Sequence, residues 1–309
     1  MNSGRQRVLA IVGATGTGKS ALADALAYRL GGEVISADSM QVYIGMDIGT
    51  AKMPPAERSV AYHCLDLVWP DQEFNAALYQ RYARAAIDDV LSRGKVPVVC
   101  GGSGLYIRAA LDDFTLDDAA NPANTALRQS LEEEAGNLGP LAFHAKLAER
   151  DPQSARLIHP HNVRRVIRAF EFLEQGSSYA QRSSGFDSYN AYYRCRYIGL
   201  DLAPAALYER IDVRVDRMIA AGLVQEVARL VDEGFGQALA SQQAIGYKEL
   251  VPVVAKQLSL VEAVAQIKLA TRHFAKRQRS WFKRDTRIAY LDARLSTDEL
   301  LDKLTALIT

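Results

Sequence analysis

The stretch Gly13-Ala14-Thr15-Gly16-Thr17-Gly18-Lys19-Ser20 constrains the fold of this chain more than any other. It follows an apolar run, Val8-Leu9-Ala10-Ile11-Val12, and opens a segment with helical spacing over residues 21–27. Strand, G-x-x-x-x-G-K-S and helix in that order are a P-loop in its required context. The glycines let backbone N–H groups turn inward onto a diphosphate, and the positive end of the following helix adds to the attraction. Residues Gly13, Ala14, Thr15, Gly16, Thr17 and Gly18 are therefore the expected diphosphate cradle, completed by Lys19 and Ser20. Lys19 is expected to reach outer phosphate oxygens, and Ser20 to place its hydroxyl on a phosphate-bound Mg²⁺. The motif does not say which bond to the phosphates is broken.

A second strand is expected at residues 33–36, after Gly31-Gly32 closes the first helix. It delivers Asp38-Ser39-Met40-Gln41 to the carboxyl edge of the sheet, where ligands of open α/β sheets sit. A polar loop over 45–52, a short strand near 64–67 and a helix over 74–93 follow. The apolar run 96–100 reads as a buried strand with Pro97 near its start; it ends in Gly101-Gly102-Ser103-Gly104 and leads into a helix over 105–111. This alternation predicts an α/β fold: a P-loop NTPase-like, three-layer core with a parallel sheet. Strand character is lost at about Asp112. Helical patterns cover 124–135, 141–149 and 161–174, and 177–190 is polar and turn-like. Strand character returns at 196–200, with helices over 204–221, 224–233 and 262–282 ending the fold. The expected organisation is a discontinuous catalytic core, 1–112 and 195–309, interrupted by a helical insertion, 113–194.

The formal net charge of +1 excludes a global field toward nucleic acid or membrane, so any basic surface is local. Three dispersed cysteines without a C-x-x-C pair argue against a disulfide framework or zinc site and fit a reducing, cytoplasmic setting. No apolar run is long enough for a membrane span.

A phosphoryl-transferring P-loop protein needs an apolar strand ending in an Asp that helps hold Mg²⁺. The strand at 96–100 ends in glycines, and Asp66 after a weaker strand is the one alternative. The loop is thus expected to hold a diphosphate as leaving group. Asp38 is the natural base beside it, although an Asp-Ser pair also makes an Asx-turn. Arg210 and Arg214 share a helix face and suit a phosphate clamp, or else form surface ion pairs. Residues 271–284 hold six Lys or Arg and no acid, with Arg272, Lys276, Arg279 and Lys283 on one stripe and Phe274, Gln278 and Trp281 on another. An acid-free stripe with interleaved aromatics points to a nucleic-acid backbone. Arg164, Arg165 and Arg168 form a second basic cluster. A small-molecule kinase with a helical lid and a non-catalytic RNA-binding protein are the competing readings.

These residues resemble the bacterial tRNA dimethylallyltransferases, or tRNA isopentenyltransferases, over nearly the whole chain. The resemblance rests on the P-loop, residues 35–43 (Ile-Ser-Ala-Asp-Ser-Met-Gln-Val-Tyr) and 45–52 (Gly-Met-Asp-Ile-Gly-Thr-Ala-Lys). It continues through 101–106, 164–169, Gln243-Ala244-Ile245-Gly246-Tyr247-Lys248-Glu249 and the basic helix ending in Trp281-Phe282. It departs at Ser103, where the family usually has Thr, and at Arg164-Arg165, where it usually has Gln-Arg. The resemblance implies transfer of a dimethylallyl group from its diphosphate to N6 of the adenosine 3′ of a tRNA anticodon, with Mg²⁺, by a cytoplasmic monomer. It implies catalytic roles for Asp38, Thr15, Lys19, Arg210 and Arg214. It implies tRNA contacts from Asp38, Ser39, Met40, Gln41 and Ser103, and from Arg128, Arg164, Arg165 and Arg168 in an insertion that grips the anticodon stem-loop. Further contacts are implied for Gln243, Gly246, Tyr247 and Lys248, and for Arg272, Lys276 and Arg279.

Overall fold

The computed structural model describes residues 8–114, 116, 122–184, 189–235 and 241–308. The chain divides into two compact units: one runs up to Asp112 and resumes at Ala191, the other is Asp113–Asn190.

The first unit opens with β1 (Val8–Gly13) and α1 (Lys19–Arg29), joined by the P-loop. β2 (Glu33–Ser36), β3 (Tyr62–His63), α2 (Ala76–Ser92), β4 (Pro97–Gly101) and α3 (Gly104–Leu111) follow. Every residue of β1, β2 and β4 is buried, as expected of parallel strands covered on both faces. The third strand lies two residues earlier than predicted, because Cys64 and Asp66 adopt left-handed backbone, φ 60° and 52°, that no strand accommodates.

The second unit contains α4 (Pro122–Arg150), α5 (Pro152–Leu157), α6 (Val163–Glu174) and α7 (Tyr179–Ser184). Gly139, at φ 75° and ψ 163°, breaks α4 just before Pro140, which divides it into the two helical stretches the pattern predicts. Asp151 caps α5 by accepting the Ser154 amide at 3.0 Å, in a stretch where no helix was expected. Helix α7 likewise occupies sequence that reads as turn. Phe143, Leu147, Val166, Ile167 and Phe170 form this unit's own core.

The chain returns through β5 (Cys195–Asp201), α8 (Pro204–Ala220), α9 (Leu223–Asp232), α10 (Val251–Val254) and α11 (Leu260–Phe282). It does not end there: β6 (Ile288–Asp292) adds an edge strand, and α12 (Thr297–Ile308) packs Leu300, Leu301 and Leu304 with Leu22 and Leu26 of α1. The sheet is six-stranded and parallel in the order β3-β2-β4-β1-β5-β6. Ile11 of β1 lies opposite Cys100 on one side and Ile198 on the other. Because the strands are parallel, the loops after β1, β2 and β4 leave from the same edge, which places 13–20, 37–41 and 101–104 together.

Asp112 closes the first half of this unit and is almost fully buried. Its carboxylate accepts from Arg108 Nε at 2.8 Å, from Arg287 Nη1 at 2.7 Å and from the Tyr197 hydroxyl at 3.3 Å. Breaking a buried ion pair from one side leaves a desolvated charge behind. Asp112→Ala is expected to lower the unfolding free energy by about 3–5 kcal/mol, measured by urea titration, whereas Asp302→Ala, which removes the exposed Arg29 pair, changes it by less than about 1 kcal/mol.

Candidate active site

The P-loop begins where β1 leaves the sheet. Gly18 caps α1 in left-handed conformation, φ 88°, which a side chain would strain, and the Thr17 hydroxyl donates to the Ala14 carbonyl at 2.9 Å to close the loop. Gly13, Ala14 and Thr17 are buried, Thr15, Gly16, Lys19 and Ser20 half-buried. The Thr15 amide donates to Gln278 Oε1 at 2.8 Å. Lys19 Nζ reaches the Ala14 carbonyl at 3.4 Å, a long contact.

Helix α8 packs on this loop: a Cβ at Gly16 would lie 3.3 Å from Ile211 and 3.4 Å from Leu207. One turn on, Arg214 is half-buried beside the same site. Burial lowers the pKa of Lys19; Cys100 and Asp38 oppose that shift and Arg214 reinforces it. Burial likewise lowers the pKa of Arg214, against the opposing pull of Asp38. Lys19, Arg214 and Asp38 therefore share one electrostatic site. Arg210 does not join them as closely: it is exposed, and its charge acts on Asp292 at the end of β6. Burial pushes the Cys100 thiol up to about 11, so this thiol behind the lysine is neutral at physiological pH.

Asp38 Oδ1 accepts the Met40 amide at 2.9 Å. This is an Asx-turn, and it fixes the carboxylate. The Ser39 amide donates to Ser103 Oγ at 3.2 Å, tying the Asp38 loop to the loop after β4. Gln41 accepts from the Ser36 hydroxyl at 2.8 Å and donates to the Thr50 carbonyl at 3.2 Å.

Loop 45–52 hangs on Glu226 of α9. This buried carboxylate accepts the amides of Asp47 (3.2 Å), Ile48 (2.8 Å) and Gly49 (3.3 Å) and the Tyr247 hydroxyl at 2.6 Å. A Cβ at Gly49 would lie 2.4 Å from the Tyr247 ring, so only glycine lets loop and ring meet. One expectation is corrected here and one alternative is closed. Tyr247 is fully buried and supports the loop, so its side chain cannot touch tRNA. Asp66 accepts the Lys52 ammonium, which also bonds Asp47 at 2.7 Å and the Tyr43 carbonyl at 2.8 Å, so it serves this loop and not the P-loop. Gly246 is buried and donates its amide to Glu249 at 2.7 Å; Gln243 and Lys248 are exposed.

The basic helix is not bare of counter-charges. Its acids lie on other elements: Arg272 pairs with Asp212, Arg279 Nε donates to Asp201 at 2.9 Å, and Lys268 meets Asp216 at 2.6 Å. Arg272 and Arg279, expected on phosphate, fasten α11 to α8 and to the end of β5. Lys276 is exposed, with no hydrogen-bond or ion-pair partner among the described residues. In the insertion, Arg164 and Arg165 are exposed, while Arg168 and Arg128 share the buried Glu171 at 2.8 and 3.3 Å. Among the described residues no three His, Cys, Asp or Glu side chains converge as metal ligands, and no helix is long and apolar enough to cross a membrane.

Gln278 and Glu226 were not singled out as site residues from the sequence. The signal was present: each is a polar residue on a buried stripe, Glu226 with Leu223, Val227 and Leu230, Gln278 with Ala275 and Phe282.

Sheet order, loop and insertion together define a P-loop α/β protein with an inserted helical unit and the Asp38 carboxylate beside its P-loop. Residues 41–285 match the family described as IPP transferase, and residues 6–60 the one described as isopentenyl transferase. The chain belongs to the IPP transferase family, which sets its reaction class as prenyl transfer. It is 47% identical over 288 residues to the tRNA dimethylallyltransferase of Salinispora arenicola, covering 93% of this chain and 82% of that protein. It is 44% identical to that of Streptomyces coelicolor, covering 96% and 94%. Among solved structures, the tRNA isopentenylpyrophosphate transferase of Staphylococcus epidermidis matches with TM-score 0.72 and 38% identity over 98% of this chain and 99% of that one. A eukaryotic dimethylallyltransferase acting on tRNA matches with TM-score 0.77 and 30% identity, over 93% and 74%.

The Glu226 anchor has a direct test. Tyr247→Phe removes one hydroxyl and is expected to cost about 1 kcal/mol of stability, while Glu226→Ala strands three amides and a phenol and costs about 3 kcal/mol or more. Urea titration reads both, and amide exchange over 45–52 should rise far more in the second variant.

Proposed function

We propose that this enzyme transfers a dimethylallyl group from dimethylallyl diphosphate to N6 of the adenosine immediately 3′ of a tRNA anticodon, acting as a monomer. The observation that carries the reading is a pair of half-buried cations, Lys19 and Arg214, flanking a P-loop. Neither is bonded to a carboxylate among the described residues, while the charge of Asp38 acts on both. Desolvated cations without a bonded counter-ion favour a bound anion, and the P-loop amides favour a diphosphate.

Adenine N6 is a weak nucleophile because its lone pair is delocalised into the ring. Both ends of the displacement therefore need help. N6 attacks the allylic carbon as the bond from that carbon to the diphosphate oxygen breaks, and diphosphate departs with the electron pair. The P-loop amides, Lys19 and Arg214 stabilise the charge that gathers on it. The N6 proton passes to the Asp38 carboxylate, which the Met40 amide holds in place. Ser20, half-buried directly after Lys19, would hold a diphosphate-bound Mg²⁺ through its hydroxyl. When bound, that ion supplies further neutralisation of the leaving group. The adenosine must leave its stack to reach Asp38, so the anticodon stem-loop is recognised by shape and backbone as well as by base. Lys276, Arg164 and Arg165, exposed and without an ion-pair partner among the described residues, are cations that suit phosphate.

Asp38→Asn is expected to lower the single-turnover rate by roughly 10²–10⁴-fold with tRNA and diphosphate affinity near wild type; an unchanged rate would remove Asp38 from the mechanism. Neutralising Arg164, Arg165 and Lys276 should each flatten the salt dependence of anticodon stem-loop binding by somewhat under one unit of log–log slope. Arg272→Ala, whose guanidinium is already paired, should leave that slope unchanged. A flattened slope in Arg272→Ala would return this residue to the RNA interface.

A further inference from the structure

We infer that Gln278 is a positioning residue that locks the diphosphate loop to the acceptor loop, so that Asp38 and the leaving group are held in register. The inference rests on the prenyl-transfer reading and adds a residue to it.

Gln278 is buried, and both ends of its amide are spent. Oε1 accepts the Thr15 amide at 2.8 Å, and Nε2 donates to the Gly102 carbonyl at 2.9 Å. The partners fix which end is which: a backbone N–H only donates and a carbonyl only accepts. The loop after β4 is shaped to receive this helix. A Cβ at Gly102 would lie 2.2 Å from Gln278 Nε2, and one at Gly104 would lie 2.1 Å from the Trp281 indole. Gln278 and Trp281 are three residues apart on α11, one turn of the same face.

The bonded path does not stop at Gly102. Its neighbour Ser103 accepts the Ser39 amide at 3.2 Å and approaches the Ser39 hydroxyl at 3.3 Å, and Ser39 follows Asp38. One side chain thus connects Thr15 in the anion cradle, through Gly102, Ser103 and Ser39, to the base. The same bond takes the Thr15 N–H out of the set that can face a diphosphate. The cradle is then built from the amides after Thr15, and any contribution of Thr15 to the reaction comes from its hydroxyl. Displacement of about 1 Å between reacting groups costs on the order of 10²-fold in rate.

Gln278→Met keeps the length of the side chain and removes both hydrogen bonds. It is expected to lower the single-turnover rate on saturating tRNA by roughly 10²-fold and to weaken binding of inorganic diphosphate, with tRNA affinity within about twofold of wild type. Hydrogen exchange supplies a readout that packing alone would not move: the Thr15 amide loses protection while β1 amides keep theirs. Gly102→Ala, which displaces the Gln278 amide with the glutamine intact, should reproduce the rate loss if the methionine variant folds poorly. Wild-type rate and diphosphate affinity in a folded Gln278→Met enzyme overturn the inference. So does a defect confined to tRNA affinity, or a wild-type Thr15 amide that exchanges freely. If the wild-type protein transfers no dimethylallyl group, the prenyl-transfer reading fails, whereas the diphosphate and exchange measurements still decide the Gln278 lock.

Discussion

β1 runs between β4 and β5 with every residue buried, and this strand sets the terms for the rest of the first unit. A parallel strand covered on both faces must meet all its backbone groups with neighbouring strands and all its side chains with helices. The P-loop therefore leaves from the middle of the sheet, where strands on either side send their loops to the same edge. Asp38 arrives from β2, Ser103 from β4, and Arg214 from α8 after β5. A site drawn from four stretches of sequence needs no long-range search once that order is fixed. The cost falls on the cations. Lys19 and Arg214 are drawn into a poorly solvated corner where burial works against their charge and the Asp38 carboxylate works for it.

Much of this was legible in the sequence because the P-loop and the Asp38 turn are local. Their chemistry depends on residues within a few positions of one another. The edge of the sheet was less legible. β6 is a run of only four apolar residues, Ile288-Ala289-Tyr290-Leu291, before Asp292, too short for periodicity to tell strand from helix. The partners of charges were least legible. Residues 271–284 contain no acid, and read alone they present a bare basic face. The acids that answer it, Asp201 and Asp212, sit on β5 and α8, and only the packing of α11 against them brings them across. Patterning within one helix cannot report charges supplied by another.

The informative polar residues were those on apolar stripes. Glu226 and Gln278 occupy positions that helical periodicity assigns to the core, where an uncompensated carboxylate or amide is destabilising. Each is satisfied by backbone of a functional loop: Glu226 by amides of 47–49, Gln278 by Thr15 and Gly102. Glu171 in the insertion is also compensated, but by the side chains of Arg128 and Arg168. A polar side chain on a buried stripe is thus a better guide to loop anchoring here than a run of exposed charge is to a ligand.

The end of β4 bears on the choice between prenyl and phosphoryl transfer. A phosphoryl-transferring P-loop protein needs an acid on an apolar strand beside the loop. Here that strand ends in Gly101-Gly102. A Cβ at Gly101 would lie 2.1 Å from the Ala37 carbonyl oxygen, and one at Gly102 would meet Gln278. Backbone of the Asp38 loop and the buried glutamine fill the space a carboxylate would need. Asp66, the alternative acid, is committed to Lys52. The glycines that exclude an acid are also what let the β2 and β4 loops touch, and through that contact the Asp38 turn is held beside the P-loop. Keeping a carboxylate from the end of β4 and joining the β2 and β4 loops are, in this sheet, the same piece of packing.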